Sequence, residues 1–171
     1  AGLEKNDRDS TSRLTIRDDL KNNGTAKKDE EKKAEEDAVA AGKTGDAVKD
    51  VGSLTANGGK YGAGIGASYF ESTSNIVIEG GKIKATGGSW GAGIGGSGAG
   101  AGGKLNKDDP DDRSQTITIN GGNIVANGIG GGDRCSNGRG GRGAVTINGG
   151  HIQSVNDKGA GIGGGWGEQF G

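Results

Sequence analysis

The sequence predicts an all-β fold, a glycine-rich β-solenoid of about four coils with a helical insertion near its N-terminus. Three observations carry this: a recurring GAGIG motif, paired short strands joined by glycines between its copies, and large apolar residues held at fixed positions among 41 glycines. Leu, Ile, Val and Phe together number 27 of 171 residues, below the share an ordinary globular core uses. Disorder would be the default for such a composition, but it normally comes with high net charge and no periodicity. The formal net charge is -1 and the apolar residues are periodic, so the core is read as narrow and regular.

GAGIG stands at residues 62–66, 91–95 and 159–163, with a shortened NGIGG around Ile129. The isoleucines Ile65, Ile94, Ile129 and Ile162 therefore recur at intervals of 29, 35 and 33 residues, a period that implies stacked units. Between the copies lie NIVIEGGKIKAT from Asn75, TITINGGNIVAN from Thr116 and AVTINGGHIQSV from Ala144, each reading as two short strands. Strand alternation places Ile76 and Ile78, Ile117 and Ile119, and Val145 and Ile147 inward, with Val77, Thr118 and Thr146 outward. After the glycines the inward pairs are Ile83 with Ala85, Ile124 with Ala126, and Ile152 with Ser154.

A degenerate first copy fits too: RLTIRDD supplies Leu14 and Ile16, and SLTANGG supplies Leu54 and Ala56. Residues 24–50 separate its two parts as a charged insertion within the first coil, the whole chain, 1–171, reading as one domain. The stretch KKDEEKKAEEDAVAAGK from Lys27 is rich in helix formers, mixes charges at three- and four-residue spacings and stops at Gly42, which predicts an exposed helix.

Each coil then holds three short strands, with glycine at corners that need positive φ. Coils about 4.8 Å apart would set equivalent isoleucines in ladders. The rival is a row of β-hairpins, since Asn-Gly between alternating strands is a hairpin signal. A GAGIG strand in every repeat has no obvious use in such a meander. Long loops interrupt the second and third coils, SGAGAGGKLNKDDPDDRSQ from Ser97 and GGDRCSNGRGGRG from Gly131, and insertions that share a corner share one side of a solenoid.

The combination of xIxINGGxIxAxGG with GAGIGG, over about residues 53–171, resembles the glycine-rich repeats of microbial surface and secreted proteins of the right-handed parallel β-helix class. Members of that class include adhesins, carbohydrate-binding modules, polysaccharide lyases and ice-binding proteins, so the resemblance implies the fold and leaves those functions open. An extracellular or cell-surface location is expected from it.

Aligned on the isoleucines, Tyr61, Trp90 and Lys158 share a position four residues before Ile65, Ile94 and Ile162, and Trp166 falls four after Ile162 as Tyr69 does after Ile65. Rings one coil apart offer flat apolar faces to sugars, with Lys and Asn nearby for hydroxyls. The plainer reading is that they cover a thin glycine corner or a neighbouring subunit. Asp108, Asp109, Asp111 and Asp112 around Pro110 could hold calcium through oxygen ligands, against the reading of a solvated acidic loop; no other cofactor is implied. Arg134, Arg139 and Arg142 in a neutral chain are weak grounds for phosphate, and no nucleic-acid partner is expected. His151, the sole histidine, reads as outward and passive. Lys82 and Lys84, also outward, leave a lyase-like base open without a defined partner. The column Thr15, Val77, Thr118 and Thr146 could resemble an ice-binding face, but the neighbouring column Arg17, Glu79, Asn120 and Asn148 is strongly hydrated.

Cys135 is the only cysteine, which excludes an intrachain disulfide and a thiolate cluster. No apolar run approaches a membrane span, and AGLEKNDRDS lacks a signal pattern, so a soluble chain without membrane insertion is expected. The ending at GEQFG suggests a piece of something larger. The function expected is a non-catalytic binding module for glycan or another macromolecule, with a structural spacer or assembly subunit as the alternative, its partner then a neighbouring protein chain. A polysaccharide lyase and an ice-binding protein stand behind these.

Overall fold

The computed structural model describes residues 2–4, 13–21, 23–69, 71–98, 116–133 and 142–166. The first coils contribute β1 (Leu3–Glu4), β2 (Leu14–Ile16), α1 (Asp29–Ala40), β3 (Ser53–Asn57), β4 (Ile65–Gly66), β5 (Ile76–Ile78) and β6 (Lys82–Thr86). The remaining strands are β7 (Ile94–Gly95), β8 (Ile117–Ile119), β9 (Asn123–Ala126), β10 (Ile129–Gly130), β11 (Val145–Ile147), β12 (His151–Ser154) and β13 (Ile162–Gly163). They form three sheets ordered β1-β4-β7-β10-β13, β2-β5-β8-β11 and β3-β6-β9-β12. Every pairing between these strands is parallel. This is a parallel β-helix and not a row of hairpins.

The register is the one that the apolar spacing predicts. Ile76, Ile117 and Val145 stack, as do Ile78, Ile119 and Ile147. In the third sheet Leu54, Ile83, Ile124 and Ile152 form one column and Ala56, Ala85, Ala126 and Ser154 the next. Ile65, Ile76, Ile78, Ile83, Ile94, Ile117, Ile119, Ile124 and Ile129 are fully buried. Each such burial is worth about 1.5–3 kcal/mol, which is how few large side chains can hold so glycine-rich a chain. The last coil differs: Ile147 is 45% exposed and Ile162 42%.

The first sheet has one strand more than the GAGIG copies predict. Leu3 pairs with Ile65 and Glu4 with Gly66, so residues 3 and 4 add a strand to this sheet. The glycine that ends β4, β7 or β10 has no room for a side chain. A Cβ on Gly66, Gly95 or Gly130 would lie 2.2, 2.0 or 2.1 Å from the carbonyl oxygen of the equivalent glycine one coil on, and their φ angles are +128°, +133° and +126°.

The insertion between β2 and β3 forms the expected helix, with Ala38 its only buried residue, and it is fastened to the solenoid at several points. Lys27, just before α1, has a fully buried side chain 2.9 Å from Asp18 and 2.8 Å from Glu35, and its ammonium donates to the Asp50 carbonyl at 2.5 Å. Burial opposes this charge, but the Glu35 and Asp18 carboxylates outweigh it and hold the Lys27 pKa above the ordinary lysine value. Three charges removed from water together are tolerable only because each has an opposite partner.

The helix then lies against the glycine corner of the second and third coils. Gly122 N–H donates to Glu36 Oε1 at 2.5 Å and Asn123 Nδ2 donates to the Glu36 carbonyl at 2.7 Å. A Cβ on Gly121 would sit 2.7 Å from Glu36 Oε1, so this glycine admits the helix as well as turning the chain.

Candidate functional site

The strands of the first sheet are two residues long, so positions just before and just after each isoleucine come together on one side of the solenoid. Tyr61 and Tyr69 illustrate this, with ring centroids 4.9 Å apart and planes inclined by 55°. Lys60 Nζ lies 5.2 Å from the centre of the Tyr61 ring, within cation–π range. Lys60, Tyr61, Ser68 and Tyr69 line an open hollow of about 470 Å³, and Tyr69 is 56% exposed.

One coil on, Trp90 carries a different cation. Lys158 Nζ lies 5.1 Å from the Trp90 ring centre and donates to the Ser89 carbonyl at 3.3 Å. These residues are two coils apart, and the third coil explains how they meet. Eight residues separate Ala85 from Ile94, but only two separate Ala126 from Ile129, although the flanking residues stay in register. The third coil therefore lacks the corner that would stand between Trp90 and Lys158. Asn127 closes the shortened corner, its side chain accepting from Gly87 N–H at 2.7 Å and donating to Gly87 O at 3.2 Å.

The backbone at both rings is tied to the point where the next loop leaves. Gly98 N–H donates to the Tyr61 carbonyl and Asp133 N–H to the Trp90 carbonyl, both at 2.8 Å. Gly98 and Asp133, the last described residues before 99–115 and 134–141, therefore stand on the aromatic side. Asp133 is buried, and its Oδ1 accepts from Trp166 N–H at 2.8 Å and from Asn156 Nδ2 at 3.4 Å. Trp166 is thereby anchored to the third coil.

Of the residues picked out from sequence, Tyr61, Trp90 and Lys158 lie on this side, with Lys158 against Trp90. Tyr61 is seated against Tyr69, which together with Lys60 was not singled out. The signal for Tyr69 was its position four residues after Ile65, a mirror of Tyr61 four before. Asp108, Asp109, Asp111, Asp112, Arg134, Arg139 and Cys135 lie outside the described residues; Arg142 is described and exposed. Among the described residues no group of three or more His, Cys, Asp or Glu side chains could hold a metal ion. No described helix is long and apolar enough to cross a membrane.

His151 is outward as expected, but it has a partner. Its Nε2 lies 2.8 Å from Asp37 Oδ1, so the histidine pins α1 to the last coil. The sequence hides this contact because the pair is separated by 114 positions. The hydrogen bond with His151, opposed by burial and aided by Lys33, holds the Asp37 carboxyl below its usual range. A carboxyl lowered in the folded state contributes stability above its ordinary pKa and loses it as pH falls through the folded value. Glu36 runs the other way: burial raises its pKa against the Gly122 hydrogen bond, so taking up a proton favours its folded form. Asp37→Asn is expected to speed amide exchange over residues 36–40 severalfold at neutral pH. The difference from the wild type should persist through the ordinary carboxylate range and fade only below it, as the pH falls through the depressed folded value of Asp37; exchange measured by NMR down through that range checks it.

The column Thr15, Val77, Thr118 and Thr146 is in register. Beside it Asn120 Nδ2 donates to Glu79 Oε2 at 3.1 Å and Asn148 Nδ2 to Asn120 Oδ1 at 2.8 Å, a polar ladder that leaves no flat apolar plane.

A family profile described as a beta helix repeat matches the chain over residues 50–69, 76–99 and 145–166. The three stretches fall on the first, second and fourth coils and leave out the coil with the shortened corner. No curated protein and no solved structure matches the chain.

Proposed function

We propose that this chain, a β-helix repeat protein, is a non-catalytic binding module that takes glycan through its aromatic side, as part of an extracellular or cell-surface protein. The reading rests on one observation: adjacent coils present the Tyr61–Tyr69 pair with Lys60, and Trp90 with Lys158, on one side of the solenoid. Ring faces take the apolar faces of sugars, and lysines beside them donate to hydroxyls. Tyr69→Ala and Trp90→Ala should each weaken glycan binding about tenfold, a loss of about 1.4 kcal/mol. Neither should lower the melting temperature, because the rings sit outside the isoleucine core. A glycan array followed by calorimetry on both variants tests this, and binding equal to the wild type would remove the proposal.

A structural role, as a spacer or a subunit of an assembly, is favoured by a different observation. The last described coil leaves Ile147 and Ile162 about half exposed, and uncovered strands invite pairing with another chain. Obligate self-association in light scattering without sugar binding would favour this second reading.

A further inference from the structure

We propose that the outer face of the third sheet carries a second binding site, a cationic groove beside α1 that takes a saccharide bearing carboxylate or sulfate groups. The groove has a volume of about 610 Å³, with Val39 and Ala40 as its wall and outward residues of three coils as its floor. One row of the floor is Lys82, Asn123 and His151; the next is Lys84, Val125 and Gln153. It shares no residue with the aromatic side and does not rest on that reading.

The charge of the groove is one-sided. Lys82 and Lys84 are exposed, and neither has an ion-pair partner among the described residues. No carboxylate lines the groove: of the acids on the adjoining helix, Glu36 accepts from Gly122 N–H, and Asp37, the nearest, stands at the rim with one oxygen against the floor residue His151. The negative end of the helix is muted too: Ala41, Gly42 and Lys43 N–H groups donate to the carbonyls of Asp37, Val39 and Ala38, satisfying groups that would otherwise repel an anion.

The arrangement fits a charged sugar in particular. Two residues apart on one strand, the lysine Cα atoms are about 6.6 Å apart, so two ammonium groups can converge on one anionic substituent. Val125, in the next coil, is 48% exposed and gives the apolar face of a ring a seat. Gln153, one coil further, is exposed and can both donate to and accept from a hydroxyl. A peptide strand would need a free sheet edge for its main chain, whereas this floor is a sheet face whose backbone is paired between coils. Single-stranded nucleic acid would call for a run of aromatic rings to stack its bases, and no Phe, Tyr or Trp lines the groove, His151 being engaged by Asp37.

The test is calorimetric titration of the full chain with three oligosaccharides of equal length, one of uronic acid, one sulfated and one neutral. At least one anionic probe should bind, the neutral probe should not, and the relative affinities of the anionic two identify the natural charge. Lys82→Gln and Lys84→Gln should each weaken that binding about tenfold, consistent with the loss of one charge-assisted hydrogen bond. Their melting temperatures should not change. Added salt should weaken binding in the wild type. Trp90→Ala should leave it unchanged, which separates this site from the aromatic one. The proposal is overturned if neither anionic probe binds, if the neutral probe binds as well, if the lysine variants bind like the wild type, or if polyglutamate or single-stranded DNA binds more tightly.

Discussion

Gly95→Ala is expected to leave the chain unable to hold its stack. A Cβ at this position would stand 2.0 Å from the Gly130 carbonyl oxygen, on a residue whose φ is +133°. The backbone angle alone would cost about 1–3 kcal/mol. The clash adds more, because the atom in the way belongs to the main chain of the next coil and cannot rotate aside. Relieving it means parting β7 from β10, which carries Ile94 away from Ile129 and opens the core on that side. A total loss above about 4 kcal/mol is expected, a large part of the stability of a small domain. Gly59→Ala is the control, since a Cβ there meets nothing within 4 Å. Far-UV circular dichroism and urea denaturation of the two variants, side by side, check the result; a folded Gly95→Ala protein would mean that the coils are not packed against each other as described.

Ile119→Ala should destabilise the chain by about 2–5 kcal/mol. Ile119 is fully buried and is stacked between Ile78 and Ile147, so truncation removes apolar contact above, below and across the coil. In a column this thin the neighbours are fixed by strand pairing and cannot close the gap. Ile147→Ala, in the same column, should cost roughly half as much or less, because Ile147 is already 45% exposed and less of its surface is taken from water. Urea midpoints give the comparison, and equal losses at the two positions would contradict the columnar core.

The columns were legible in the sequence because each one repeats a residue type at a fixed place between glycines: Ile78, Ile119 and Ile147 follow from alternation alone. The alignment that set Trp90 and Lys158 at one position was legible for the same reason. Their contact was not, because it depends on a third coil whose corner is missing, and a deletion is easily read as a weaker repeat. The strand at Leu3 went unrecognised because it keeps only the small-then-aliphatic pair of GAGIG, with Glu4 where the other copies have glycine. The docking of α1 was the least visible. Glu36 is one acid among several in a charged run, and nothing local distinguishes it from its solvated neighbours. Its partner, Gly122, belongs to a pair already accounted for by the turn, so the second use of that corner left no mark of its own.

That helix changes what kind of object the solenoid is. In a plain array each unit touches only the next, and damage at one end can spread or stop locally, as in a one-dimensional chain of linked spins. Here a segment belonging to the first coil grips Gly122 and His151 in the third and fourth, so these units share a fastening that bypasses the second. Melting should therefore be a single concerted event, and severing the fastening should let the far end fray by itself.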